Sequence, residues 1–222
     1  IHHDFEYSNK FNFFEMKLLA LLSYWIPNKT IYSSISSQIN HLKNGYKKSN
    51  TLIINNGVST LKYKPDLRLR EKFRTDLNID SDCFLLGNIS RYHPIKDHNT
   101  LLKALAELKN YQINFKCVLI GSGLSDDNTH LMKKINKHSL NKHIILYGES
   151  NEVFKIINSF DLNVLTSRSE CSPVTLLESM SCGIPCLSTN VGDAKNIVGD
   201  SGWIVEPENP RQLSTCMKEI IK

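Results

Sequence analysis

A regular alternation of short β-rich runs and amphipathic helical segments constrains the fold of this chain more than any other feature of its sequence. The predicted strands are Phe84–Ile89, Phe115–Ile120, Ile144–Tyr147, Leu162–Leu165, Pro185–Thr189 and Gly202–Val205. The predicted helices between and after them are Asn99–Leu108, Thr129–His138, Glu152–Phe160, Val174–Ser181 and Pro210–Ile221. This alternation predicts an α/β fold with a doubly wound parallel sheet, helices on both faces, and ligands at the carboxyl ends of the strands.

The first part of the chain has a different character. Its predicted elements are a helix over Phe11–Tyr24, a strand over Thr30–Tyr32, a helix over Ser36–Asn44 and a strand over Thr51–Ile54. Two short strands are too few to make an independent sheet. The change falls near Tyr63, so the chain is predicted to divide into residues 1–63, the tail of a preceding domain, and residues 64–222.

Composition narrows the class of protein. Of 222 residues, 41% are hydrophobic and 22% are charged, which is ordinary globular usage and excludes disordered and fibrous classes. The apolar run Met16–Ile26 is interrupted by polar residues and is shorter than the ~20 residues that a membrane span requires. Six cysteines without a Cys-x-x-Cys pair predict reduced thiols in a cytoplasmic protein. The net charge of +5 reads as a solubility feature, or as a basic face toward anionic lipid or a phosphorylated ligand.

Two cations lie in the loop that follows the first strand of the alternating region. Arg91 and Lys96 are five residues apart, directly before a predicted helix. Arg offers a planar fork of donors, Lys a point charge, and a helix N-terminus adds positive potential, which together suit a diphosphate. Considered alone, the same pair is also consistent with two solvated surface cations.

The second strand ends in Gly121-Ser122-Gly123. Glycine lets the backbone approach a ligand closely or make a tight turn. A dinucleotide fingerprint would require a third glycine where this chain has Asp126, so NAD binding is not predicted.

Two glutamates flank the predicted start of the helix after the fourth strand. Pro173 suits the first turn of a helix, Glu170 lies just before it, and Glu178 lies about one and a half turns inside. Free amides around Ser172–Thr175 favour phosphate or sugar oxygens, and carboxylates accept hydrogen bonds from sugar hydroxyls. A pair of ordinary exposed acids is the alternative, but Glu178 stands in an otherwise apolar helix.

These motifs together resemble the signature of the family 4 retaining glycosyltransferases, which have the GT-B fold. The resemblance rests on four segments: the two glutamates followed by Ser-Met-Ser-Cys-Gly-Ile-Pro-Cys; the Arg91 and Lys96 pair; Asn55-Asn56-Gly57-Val58; and Thr189 to Trp203. It implies that residues 64–222 are a Rossmann-like, C-terminal nucleotide-sugar-binding domain that stops before the usual final helices. Residues 1–63 would then be the tail of the N-terminal, acceptor-side domain.

The resemblance also implies roles for residues. Glu178 would bind the ribose and Glu170 the transferred sugar, while Arg91 and Lys96 would stabilise the leaving diphosphate in a reaction that needs no metal. The remaining donor-binding residues would be Gly121, Gly123, Glu149, Ser150, Ser172, Pro173, Val174 and Thr175. The family often has Gly-Phe where this chain has Cys171-Ser172, which bears on the choice of sugar. It also often has a Glu within the stretch here occupied by Lys195–Ile197, which bears on the detailed contacts to the donor.

The expected activity is transfer of a hexose or N-acetylhexosamine, most naturally from a UDP-sugar, to a glycan or lipid-linked acceptor in polysaccharide biosynthesis. The expected partners are the donor and that acceptor, with peripheral contact at the inner face of the membrane left open and no nucleic acid. The polypeptide by itself is expected to bind donor without transferring it. Two alternatives remain: a non-catalytic nucleotide-sugar-binding module, and a GT-B epimerase acting on a UDP-sugar.

Overall fold

The computed structural model of the protein describes residues 10–222, with side chains from residue 14 onward, so residues 1–9 of the predicted first segment lie outside it. The first segment contains helix α1 (Lys10–Leu22), strand β1 (Thr30–Tyr32), helix α2 (Ile35–Lys43) and strand β2 (Thr51–Ile53). Strands β1 and β2 pair in parallel as a two-stranded sheet. Within residues 10–222, no helix is long and apolar enough to cross a bilayer.

A larger sheet follows, with helices between its strands. Its strands are β3 (Phe84–Ile89), β4 (Phe115–Ile120), β5 (Ile144–Gly148), β6 (Leu162–Leu165), β7 (Cys186–Thr189) and β8 (Gly202–Val205). The helices are α3 (Leu67–Asp76), α4 (His98–Lys109), α5 (Thr129–Lys137), α6 (Val153–Ile156), α7 (Val174–Ser181), α8 (Ala194–Val198) and α9 (Pro210–Ile221).

The order of strands determines where a ligand can bind. The six strands lie in the order β5-β4-β3-β6-β7-β8, and every pair of neighbours is parallel. Strands β4 and β5 are added on one side of β3, and the chain then crosses to the other side of β3, where β6, β7 and β8 follow. A crevice therefore opens between the loops after β3 and β6, which is the topological switch point of this fold. The predicted α/β fold with a doubly wound parallel sheet is confirmed.

Alternate residues of the central strands supply two separate cores. Leu86 packs with leucines of α4 on one face, in a cluster that includes α5 and α9. Leu85 packs on the other face with Phe73 of α3 and Phe160. The strands are buried on both faces, and so they read as continuous apolar runs rather than as alternating ones.

Helix α3 was missed by the sequence reading because its residues are strongly charged. Asp66 caps its first turn by accepting from the amide of Leu69 at 3.1 Å. Arg70 and Arg74 both pair with Asp161, whose carboxylate also accepts from the amide of Leu85 at 2.7 Å. An ion cluster therefore helps to hold α3 to the sheet, beside a narrow apolar face of Leu69, Phe73 and Leu77 at helical spacing.

Two other helices differ from prediction. The predicted helix Glu152–Phe160 is α6 followed by a 3-10 turn over Ile157–Ser159. The short helix α8 was not predicted. Gly87 inside β3 has a packing reason: a Cβ there would lie 2.1 Å from Cε2 of Phe160.

Candidate functional site

A cleft of about 770 Å³ opens at the switch point, on the carboxyl side of the sheet. The loops after β3, β4, β5 and β6 and the start of α7 contribute to its walls. The predicted residues that line it are Arg91, Lys96, Gly121, Glu149, Ser150, Glu170 and Thr175. The predicted residues outside its lining are Gly123, Ser172, Pro173, Val174 and Glu178.

Lys96 and Glu170 form an ion pair across the cleft, between the ammonium Nζ and carboxylate Oε1. Their side chains are 20% and 9% exposed. The hydroxyl of Ser167 donates to the same Oε1 at 2.6 Å. On the other side, the hydroxyl of Thr166 donates to the carbonyl of Lys96 at 3.0 Å. The β3 and β6 loops thus fix both members of the pair.

Arg91 differs from Lys96 in its surroundings. Its side chain is exposed at the mouth of the cleft, and no carboxylate within the part of the chain that the structure describes forms a salt bridge with it. A guanidinium cannot lose its charge at physiological pH. The cleft therefore presents one available cation and one that is neutralised by Glu170.

A hydrogen-bonded chain supports the loop that carries Arg91. Asn88, buried in β3, donates to the carbonyl of Val164 in β6 at 2.7 Å. The Ser90 hydroxyl donates to the side-chain oxygen of Asn88 at 3.1 Å and lies 3.1 Å from Nε2 of His98. Burial lowers the pKa of His98 to about 4, so it is neutral at physiological pH. Because the Ser90 proton goes to Asn88, Nε2 of His98 must carry the proton that it donates to Ser90.

The two glycines after β4 serve close packing of loops. A Cβ on Gly121, whose φ is +143°, would lie 2.1 Å from the carbonyl oxygen of Ser90. A Cβ on Gly123, whose φ is +75°, would lie 3.0 Å from Cβ of Tyr92. Both glycines therefore let the β4 loop lie against the β3 loop, and Gly121 in addition lines the cleft.

Helix α7 carries the second glutamate. Pro173 stands at its N-cap position with ψ of 104°, and the helix runs over Val174–Ser181, the predicted bounds. Glu178 is one turn from Thr175 on the same face of the helix. Burial raises the pKa of Glu178, and a hydrogen bond from Tyr63 opposes that rise. Tyr63 is the last residue of the predicted first segment, and its hydroxyl contacts this carboxylate.

A second cavity of about 850 Å³ lies between the first segment and the β6 loop. Its walls include apolar residues of α1 and β1, together with Ser172 and Glu170. Glu170 lines both this cavity and the cleft at the switch point. The Glu170 carboxylate thus stands at the boundary between the two cavities.

Asp193 connects the first segment to the loop of Glu170. Its carboxylate oxygens accept from the amides of Ile35 and Ser36, each at 2.9 Å, at the start of α2. Its own amide donates to the carbonyl of Cys171 at 2.9 Å. Next to it, a Cβ on Gly192 would lie 2.2 Å from the carbonyl oxygen of Glu170.

Sequence reasoning assigned no role to Ser167, Tyr63 or Asp193. Ser167 and Tyr63 gave no signal, because isolated polar residues near loops are common. Gly192 and Asp193 fell within the segment that carried the family resemblance, and a glycine beside an acid was the available cue.

The sequence matches the family described as glycosyl transferases group 1 over residues 70–222, which is more than half of the chain. Among curated proteins, it is 27% identical over 136 residues to a putative glycosyltransferase, EpsF, of Bacillus subtilis, covering 61% of this chain and 35% of that protein. It is 25% identical over 160 residues to an Escherichia coli UDP-Gal:alpha-D-GlcNAc-diphosphoundecaprenol alpha-1,3-galactosyltransferase, covering 69% of this chain and 41% of that enzyme.

Solved structures share the fold. The Anabaena protein Alr3699/HepE in complex with UDP-glucose superposes with a TM-score of 0.86 at 23% identity, covering 95% of this chain and 58% of that one. This neighbour agrees with the expected GT-B fold. The chain spans less than two thirds of the length of these relatives. The match over residues 70–222 identifies this chain as a member of the glycosyl transferases group 1 family.

Proposed function

We propose that the protein binds a nucleoside diphosphate sugar, UDP-linked by preference, in the cleft at the switch point and serves its transfer with retention of configuration. The transferred group would be a hexose or N-acetylhexosamine. The acceptor would be a glycan or a lipid-linked glycan in the cytoplasm. The observation that carries the proposal is the convergence of Arg91, Lys96 and Glu170 on one cleft from the loops after β3 and β6.

The proposed chemistry follows from the charges in that cleft. Departure of the nucleotide leaves negative charge on the diphosphate, and Arg91 and Lys96 supply fixed positive charge at that position. The metal-independent reaction implied by the family resemblance assigns this stabilisation to side chains. Glu170 accepts hydrogen bonds from hydroxyls of the sugar, and Glu178 accepts from the ribose.

The acceptor would approach from the second cavity. Glu170 borders both cavities, so a hydroxyl arriving from the second cavity, whose wall includes apolar residues of α1, meets the donor sugar next to this carboxylate. The name of the Escherichia coli relative specifies a diphosphoundecaprenol-linked acceptor, which agrees with an apolar approach. Front-face attack on an oxocarbenium-like centre would retain the anomeric configuration.

A donor screen tests this proposal. Ligand-observed NMR with UDP-, GDP- and ADP-linked sugars, followed by calorimetry, is expected to show binding of one UDP-sugar that Glu178→Ala weakens strongly. Absence of binding to every sugar nucleotide would contradict it. The anomeric configuration of a transferred sugar, read by proton NMR, separates retention from inversion.

Turnover distinguishes the proposal from its alternatives. A nucleotide-sugar-binding module would bind donor but never transfer it, even with the protein at its natural length and an acceptor present. An epimerase would change the donor sugar without an acceptor, which product analysis of donor alone would detect.

A further inference from the structure

The ion pair between Lys96 and Glu170 occupies the position where the proposed function requires a free cation. Both groups lie in the wall of the same cleft, and their side chains are largely buried. An ammonium that is already neutralised gives less net attraction to a diphosphate than a free one. A carboxylate at this distance also repels the phosphate charges directly.

We propose that Glu170 makes the site select a sugar-bearing nucleotide over the free nucleoside diphosphate, by competing with the diphosphate for Lys96. The proposal rests on the proposed function and assigns it a source of specificity. A free diphosphate must draw Lys96 away from Glu170 and leave a largely buried carboxylate, to which Ser167 is the remaining side-chain donor among the described residues. Leaving such a charge without its partner is costly.

A nucleotide with a sugar attached removes that cost. Hydroxyls of the sugar donate to the carboxylate in place of the ammonium, and Lys96 then turns to the diphosphate with its full charge. When the sugar has left for the acceptor, these hydroxyls leave with it. Glu170 recovers Lys96, and the spent nucleotide is released. The same carboxylate thus favours entry of donor and exit of product.

Arg91, the other cation of the cleft, plays no part in this selection. Arg91 has no salt bridge within residues 14–222 and attracts both nucleotides alike, so it supplies affinity without selecting between them. Selection depends on the one cation that has a competing anion. If Glu170 only oriented Lys96, the opposite result would be expected, because removal of the carboxylate would then weaken binding of both the free nucleotide and the sugar nucleotide.

Calorimetry with UDP, inorganic pyrophosphate and the sugar nucleotide chosen by the donor screen tests the proposal on the intact protein. Glu170→Gln keeps the shape and removes the charge. It is expected to bind UDP and pyrophosphate about tenfold more tightly, a factor typical of one hydrogen bond to a charged group. The preference for the sugar nucleotide over UDP is expected to fall by at least the same factor.

A matched variant and a double variant complete the test. Asp126→Asn removes an exposed acid of the β4 loop that does not line the cleft, and is expected to leave the ratio of the two affinities unchanged. In a Lys96→Ala background, the gain in UDP affinity from Glu170→Gln is expected to fall well below that in the wild-type background, to the part that comes from direct repulsion. Weaker UDP binding by Glu170→Gln, or an unchanged ratio, overturns the proposal while leaving donor binding intact. Failure of the wild-type protein to bind every sugar nucleotide would instead remove the proposed function, and this proposal with it.

Discussion

Removal of the Asp193 carboxylate should loosen α2 without unfolding the larger sheet. The carboxylate accepts from the amides of Ile35 and Ser36, and Ser34 accepts from the amide of Ser37 at 3.0 Å. The first amides of a helix have no acceptor inside it, so these three contacts satisfy most of the donors that α2 leaves open. Asp193 also places a negative charge at the positive end of the helix.

The size of the effect follows from these contacts. Hydrogen bonds to a charged group contribute roughly 1.5 to 3 kcal/mol each. Asp193 is 7% exposed, whereas Ile35 is 46% exposed, so water can reach the amides once the carboxylate is gone. We therefore expect Asp193→Ala to cost about 2 kcal/mol, below the sum of two such bonds. Asp193→Asn keeps one acceptor oxygen and should cost about half as much.

Native-state hydrogen exchange measures this locally. Amides of α2 are expected to exchange about thirtyfold faster in Asp193→Ala, while those of β3 and β4 remain as in the wild type. Asp200→Ala removes an exposed acid nearby and serves as the charge-matched control. Unchanged α2 exchange in Asp193→Ala, or equal effects of the Asn and Ala variants, would refute the reasoning.

Three further predictions concern packing, pH and charge. Gly87→Ala should lower the free energy of unfolding by about 1–3 kcal/mol, measured in urea, because its Cβ would overlap the Phe160 ring. Adding Phe160→Leu should recover part of this loss, and equal stability of the single and double variants would contradict the prediction. Burial raises the pKa of the Glu178 carboxyl above its ordinary value of 4.5. The folded protein therefore binds this proton more tightly than the unfolded chain, and the stability that the proton contributes is lost as pH rises through the folded-state pKa. Glu178→Gln should therefore unfold at higher urea than the wild type at pH 7 but not below pH 4.5, and a pH-independent difference would count against it. Arg91→Ala should weaken sugar-nucleotide binding about tenfold in calorimetry without changing the melting temperature. The affinity of Arg91→Lys should lie between those of the wild type and Arg91→Ala, and a lowered melting temperature would indicate a structural role instead.

Most of the fold was predictable because the strands of a parallel sheet are buried on both faces. Such strands form unbroken apolar runs, as in Phe115–Ile120, and they alternate with helices at regular intervals. Helix α3 escaped prediction because its apolar face, centred on Phe73, is narrow and surrounded by charged residues. Part of its attachment is also ionic: Arg70 and Arg74 meet Asp161, which lies far away in the chain. Local spacing carries no record of a partner that distant.

The candidate site was likewise predictable only in part from the sequence. Arg91, Lys96 and Glu170 could be placed in loops after strands, and their chemistry indicated an anionic, hydroxyl-bearing ligand. Sequence alone determined the family, the strand–helix alternation and the residue types available to bind a diphosphate and a sugar. Tertiary structure decided that β3 and β6 are neighbours, which brings their loops to one crevice. It also decided that Lys96 is paired with Glu170, whereas Arg91 forms no salt bridge with any side chain of residues 14–222. Ion pairing depends on distances between side chains, which the order of residues does not encode.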